Sequence, residues 1–443
     1  MKSEWKIAPL RDLVGYIAKG IPPAYTEIES ATTIRVLNQK CNRNLTISYT
    51  PSRLHDTSKR RVPQEKLLVN DDILINATGT GTAGRVAQIH DVPCQTTVDG
   101  HMIILRAKKD MVPRYLGYAI KAHQSEILRL DEGSTGQTEL NRERLLSEIL
   151  IDYPTSVIEQ QGIADLLFAL DARIANNADI NHHLEMMAQA IFKSWFIDFE
   201  PWDGIMPDDW REGTFSDIVS GTLGGDWGKD APIGNNTQEV YCIRGADIPD
   251  VNIGNKGKMP IRYIIPKNYC AKKLAIGDIV VEISGGSPTQ STGRCAIITQ
   301  SLLNRYDRGM VCTNFCRAIK PLAGYSSFVY YYWKYLYDQN VMFSYENGTT
   351  GIKNFDISGF LEIERIFIPP KGFASQFAES VEVLIDTIFA NGHENERLAY
   401  IRDTLLPCLI SGKLPPPCRL RRLSPLQEGG SAGRASLLEG GGA

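Results

Sequence analysis

The chain has 443 residues, 43% hydrophobic and 22% charged, with a formal net charge of −3. That length suits two or three domains, each with its own core, and the composition excludes wholesale disorder and fibrous classes. No apolar run approaches the ~18–20 residues that span a bilayer, and Met1-Lys2-Ser3-Glu4-Trp5-Lys6 lacks the apolar stretch of a signal peptide, so a cytoplasmic, membrane-free protein is expected.

In chain order, the opening segment Trp5–Val14 leads to a basic run, Arg53, Lys59, Arg60, Arg61 and Lys66, which is either a solvated face or a set of phosphate contacts. Short strands are predicted at Leu67-Leu68-Val69, Asp72–Ile75, Val86–Ile89 and Met102–Leu105. Between them Gly79-Thr80-Gly81-Thr82-Ala83-Gly84 has the spacing of a dinucleotide fingerprint, but no helix opens at its third glycine. A hairpin loop fits better, with Thr78, Thr80, Thr82 and Arg85 as donors to phosphate or base edges. A short helix is predicted at Pro113–His123. The loop Gly133–Gln137 follows, where Ser134, Thr135 and Gln137 offer similar chemistry or form a plain turn.

Next, Ile163, Leu167, Leu170, Ile174, Asn177, Asn181, Leu184, Ala188, Ile191 and Trp195 keep 4-3 spacing, the seam of a coiled coil. This segment is acidic. Residues 151–209 carry 2 Lys and Arg against 11 Asp and Glu, whereas residues 1–150 carry 21 against 17 and residues 210–368 carry 17 against 15. Two mildly basic blocks thus flank a segment poorly suited to touch DNA, and the balance near neutrality conceals them.

The chain then repeats itself. Trp5, Asp12 and Gly20 recur as Trp210, Asp217 and Gly225; Asp72–Ile75 recurs as Asp278–Val281, and Gly84-Arg85 as Gly293-Arg294. The second hairpin loop holds Ser287, Thr289, Gln290 and Arg294. After a predicted helix at Tyr325–Tyr337, Gly133-Ser134-Thr135-Gly136 returns as Gly348-Thr349-Thr350-Gly351, with Lys353 beside it. A second seam reads Phe377, Val381, Leu384, Ile388, Asn391, Asn395, Leu398, Arg402, Leu405 and Leu409. Its two asparagines fall at the same steps as Asn177 and Asn181. Packed on each other the seams are expected to run antiparallel, with the asparagines facing and fixing the register, although each helix could instead pack only on its own domain. Arg402 places a charge in the seam. From Pro415 the tail turns to Pro, Arg and Gly, and disorder is expected there.

Catalytic signatures are missing. There is no phosphate-binding G-x-x-x-x-G-K-[ST], no G-x-S-x-G and no H-E-x-x-H. Ile21-Pro22-Pro23-Ala24-Tyr25 lacks the leading Asn or Asp of the adenine-methyltransferase loop. Nine scattered cysteines suggest buried thiols rather than disulfides or a metal site, and the seven histidines have no ligand spacing.

With its duplication, the chain closely resembles the specificity subunit of type I restriction–modification enzymes over about residues 1–414. The resemblance rests on the Trp-x6-Asp-Leu/Ile-Val opening of each block, the Asp-Asp-Ile and Gly-Asp-Ile strands, and the Gly-Ser/Thr-Thr-Gly loops. It extends to the helix starts at Pro154–Gln161 and Pro369–Gln376 and to Phe192-Lys193-Ser194-Trp195-Phe196-Ile197-Asp198-Phe199. It implies an α+β fold of two mixed, strand-rich target-recognition domains, separated by two long antiparallel coiled-coil spacer helices. The expected boundaries are 1–153 and 201–368 for the recognition domains, 154–200 for the central helix, 369–414 for the distal helix and 415–443 for the tail.

The same resemblance implies a noncatalytic reader of a bipartite double-stranded DNA target. Two modification (methyltransferase) subunits would dock on it, and restriction subunits would supply the motor and nuclease. S-adenosylmethionine, ATP and Mg2+ are expected in those partners and no cofactor in this chain. Two alternatives stay open from the residues alone: a two-lobed protein scaffold, and a fused DNA methyltransferase with unrecognised motifs.

Overall fold

The computed structural model describes residues 4–43, 45–132, 138–285, 287, 289–348 and 353–414. The tail from Pro415 and the loop residues Ser134, Thr135, Gln137, Thr349 and Thr350 lie outside the described residues. Two compact units are present. One takes residues up to Asp171 together with those from Tyr400 onward; the other is Ala172–Ala399.

In the first unit the central sheet runs Val14–Lys19, Met102–Ala107, Asp72–Asn76, Val86–Ile89, all antiparallel. Every residue of Asp72–Asn76 is buried, which explains its unbroken apolar run. A second sheet orders Thr96–Val98, Thr33–Leu37, Arg53–Asp56 and Tyr25–Thr26, with its first pair parallel. Trp5–Pro9 closes antiparallel on Leu150–Pro154. The expected strand at Leu67–Val69 does not form. Leu68 buries its side chain and makes a single bond to the Thr96 carbonyl, while the Val69 amide donates to Asp72 Oδ2, so no ladder is left to extend.

The second unit repeats the central sheet strand for strand, and the second sheet with three strands in place of four. Its central sheet is Val219–Gly224, Cys316–Pro321, Ile279–Glu282, Cys295–Ile297; its second sheet sets Met310–Cys312 parallel to Gln238–Ile243 and Ile261–Ile264 antiparallel to it; Arg211–Thr214 closes on Arg365–Ile368. Tertiary bonds repeat too. Lys66 Nζ donates to the Gly20 carbonyl at 2.9 Å, and Lys272 Nζ to that of Gly225 at 2.9 Å. Arg106 pairs with Asp72, and Lys320 with Asp278. The fold is α+β, and its halves are one design used twice.

The helices at Pro113–Ala122 and Ser326–Asp338 stand within a residue of the predicted spans. The long helices are Val157–Phe196 and Lys371–Ile410, 40 residues each, or ~60 Å at ~1.5 Å per residue. No seam residue of either is exposed. They run antiparallel. Asn177 donates to Asn395 Oδ1 at 2.9 Å, Asn391 donates to Asn181 Oδ1 at 2.9 Å, and the Phe192 and Phe377 rings meet at 5.8 Å. Within the first unit Ile163 and Leu167 share a core with Leu406, Leu409 and Ile410. The charge at Arg402 is met there by Asp171, 2.7 Å away, whose other oxygen accepts from Tyr118 at 2.7 Å.

Phe192, Phe196, Trp210, Phe328 and Phe377 form the aromatic centre of the second unit's core. Cys41, Cys242, Cys295, Cys312 and Cys316 are buried free thiols, and burial pushes Cys295 and Cys312 up to about 12. Cys94 and Cys270 are exposed.

Candidate nucleic-acid interface

The first hairpin loop leaves the buried strand Asp72–Asn76 and returns as Val86–Ile89. Its glycines Gly79, Gly81 and Gly84 all have positive φ, of 113°, 68° and 83°, a backbone that side chains resist. Arg85 enters a strand and no helix follows, so a dinucleotide fold is absent here. The loop is stitched to the segment that follows residues 133–137: the Gly79 amide donates to Thr138 O at 3.0 Å, and the Leu140 amide to Ala77 O at 2.8 Å.

Within this loop Thr78 Oγ1 accepts from Gln39 Nε2 at 2.6 Å and shares a 2.8 Å bond with His101 Nδ1. Thr80 is exposed near the tip. Thr82 Oγ1 donates to Thr78 O at 3.5 Å, and Arg85 Nη2 to Gly81 O at 3.2 Å, so both brace the loop from inside.

The basic run lies on and just after the strand Arg53–Asp56. The Arg53 guanidinium stacks 3.5 Å above the Tyr25 ring, which keeps it flat and exposed. Lys59 lies 3.9 Å from Asp56, and Arg60 Nη1 donates to Pro22 O at 2.7 Å. Arg61 is exposed and makes no side-chain bond among the described residues. Lys66 is held by the Gly20 carbonyl, so of the five cations in the run Arg61 is the one with no contact to give up among the described residues before meeting a phosphate.

In the second unit the equivalent loop is arranged differently. Ser287 and Gln290 close a turn through a 2.8 Å backbone bond, with Thr289 between them. Arg294 is committed: its Nε and Nη2 each reach Glu282 at 2.8 Å, and Nη2 also reaches Gly245 O at 3.3 Å. Lys353 sits 2.7 Å from Glu346. Burial pushes Glu346 upward, but Lys353 and the Thr292 donors outweigh that and hold its carboxyl below the usual range. These cations shape the loop.

Beside it opens a cleft of about 540 Å3 lined by Trp227, Arg244, Gly245, Ser284, Asn314 and Phe315 among others. Arg244 is itself held by Asp247, through 2.9 Å bonds from Nε and Nη2. The sequence reading passed over Gln39, His101, Trp227, Arg244 and Phe315. A signal existed, because the turns Asp99–His101 and Thr313–Phe315 precede equivalent strands, but their residues share no identity. Among the described residues no three His, Cys, Asp or Glu side chains converge as metal ligands, and no helix is long and apolar enough to cross a membrane.

Residues 2–186 match the family described as the type I restriction modification DNA specificity domain. The type I restriction enzyme MjaIX specificity subunit of Methanocaldococcus jannaschii is 28% identical, over 93% of this chain and 94% of its own length. The HindI specificity subunit of Haemophilus influenzae is 23% identical, over 93% and 100%. The crystal structure of a type I restriction-modification S subunit from M. genitalium is similar in fold, with a TM-score of 0.54 at 17% identity, over 92% of this chain and 96% of that one.

Proposed function

We propose that the chain, which matches the type I restriction modification DNA specificity domain over residues 2–186, is a specificity subunit whose general role is DNA target recognition, and that it reads its target in two halves. One observation carries this reading. The same sheet plan and tertiary bonds occur twice, while the side chains on the equivalent loops differ. A repeated scaffold with unlike loops suits two readers of unlike sequences, since base identity is read by side chains at groove edges and the backbone only by charge.

In this reading the paired helices fix the spacing between half-targets and present their outward faces to two modification subunits. Half-sites one turn apart lie ~34–36 Å from each other, within the reach of helices of ~60 Å. The chain performs no chemistry. S-adenosylmethionine belongs to the modification subunits, and ATP and Mg2+ to the restriction subunits.

The test is selection from a randomised duplex pool by the chain assembled with its modification subunit, repeated across salt concentrations. A split motif with a fixed gap, and binding that weakens steeply with salt, is expected. Enrichment of no sequence would favour a protein scaffold.

A further inference from the structure

The two halves hold matching turns in matching ways. In the first, the Asp99 amide donates to Leu37 O at 2.9 Å and the Ala77 amide to His101 O at 2.7 Å. In the second, the Thr313 amide donates to Ile243 O at 3.0 Å and the Ile283 amide to Phe315 O at 2.9 Å. His101 and Phe315 therefore stand at one structural position, beside the hairpin loop of each half. Both are exposed.

Their surroundings differ in a consistent direction. Around His101 the site is polar. Gln39 reaches across to Thr78, Thr78 holds His101 Nδ1, and Nε2 has no partner among the described residues. The residue matching Gln39 is Gly245, the first position of the equivalent short 3-10 turn. A Cβ there would press on the Glu282 carboxylate, which Arg294 holds in place, so this wall of the second half stays low. Phe315, 63% exposed, stands at the resulting cleft with the part-exposed Trp227. The nearby charges are already satisfied, Arg244 by Asp247 and Glu282 by Arg294. Beside the uncharged Ser284 and Asn314, what this cleft offers a ligand is an apolar ring. In the major groove the apolar feature of a base edge is the thymine 5-methyl group.

We propose that His101 and Phe315 are equivalent base-reading positions, Phe315 selecting a thymine through its methyl group and His101 hydrogen-bonding a base edge through Nε2. The inference rests on the reading of a split DNA target. It adds which residue in each half specifies a base, and by what chemistry.

The experiment maps N6-methyladenine in cells expressing the chain with its modification subunit, as wild type, Phe315→Ala and His101→Ala. Each variant is expected to relax one position of one half-motif, leaving the other half and the gap unchanged, and the Phe315 position is expected to be an A·T pair. In the purified complex, uracil in place of that thymine should weaken binding by the wild type about fourfold, the weight of one buried methyl group. It should leave Phe315→Ala indifferent. The uracil substitution leaves the protein untouched, so it stands even if a variant folds poorly. A split wild-type motif that both variants retain unaltered would overturn this inference alone, as would indifference of the wild type to uracil at every thymine. A wild type with no split motif would overturn the underlying reading and the inference with it.

Discussion

Asp247 is 1% exposed and accepts from the Arg244 amide at 3.1 Å, the Arg244 side chain at 2.9 Å and the Lys258 amide at 3.0 Å. Burial raises its carboxyl, and these donors outweigh burial and hold it below its ordinary value of 3.8. A carboxylate depressed in the folded state stabilises the fold above its unfolded value, and that stability is lost as pH falls through the folded one. Asp247→Asn should therefore cost ~2 kcal/mol at pH 7, with the deficit shrinking below about pH 4. Urea unfolding followed by tryptophan fluorescence reads this well, because every tryptophan except Trp5 lies in Ala172–Ala399. A deficit still undiminished at pH 3 would contradict the assignment.

Gly20 and Gly225 make a second residue-scale case. A Cβ on Gly225 would overlap the Thr313 carbonyl oxygen, and one on Gly20 those of Val98 and Asp99. These are backbone atoms of the turns that carry Phe315 and His101. Gly225→Ala should destabilise by ~1–3 kcal/mol and displace its turn, which thermal unfolding and the N6-methyladenine motif would register together. An alanine variant of wild-type stability would show that the turn yields freely.

At the scale of elements, the asparagine steps are the informative feature of the helix pair. Asn181 Nδ2 donates to the Ile253 and Ile388 carbonyls at 3.1 and 3.0 Å while its Oδ1 accepts from Asn391. The buried amides thus fix the antiparallel register and tie the loop at Ile253 to the helices. A double-mutant cycle on Asn181→Ala and Asn391→Ala should return a coupling of ~0.5–1.5 kcal/mol. Additive losses would mean that each amide acts alone.

These helices were legible because 4-3 spacing is a local pattern that survives at any packing angle, and the coincidence of Asn177 and Asn181 with Asn391 and Asn395 gave the register as well. The duplicated sheets were legible through landmarks such as Asp72 and Asp278, whose roles are to meet Arg106 and Lys320. The candidate interface was less so. Arg294 offers a guanidinium to any reader of the sequence, but Glu282, its neighbour across the strand pair, captures it. Ion pairing across a hairpin leaves no periodic trace. His101 and Phe315 escaped for a related reason: their equivalence lies in which carbonyls their turns present, and the side chains have nothing in common.

For the whole molecule, the account holds that two readers keep their own sequences while a helical ruler sets the distance between them. On that proposal ruler and readers would be separable in the chain, since each compact unit takes its own share of both helices and the shares divide at Asp171/Ala172 and Ala399/Tyr400. Matched insertions of one heptad at those two points preserve the 4-3 seam and leave every bond described within either unit in place.

The most direct measurement is the N6-methyladenine motif written by this heptad-insertion variant, assembled with its modification subunit, beside that of the wild type. Seven residues add ~10.5 Å of helix, or up to about three base pairs at ~3.4 Å each. The account predicts both half-sequences unchanged and a longer gap between them. A gap of wild-type length, written by a variant that still methylates, would contradict it.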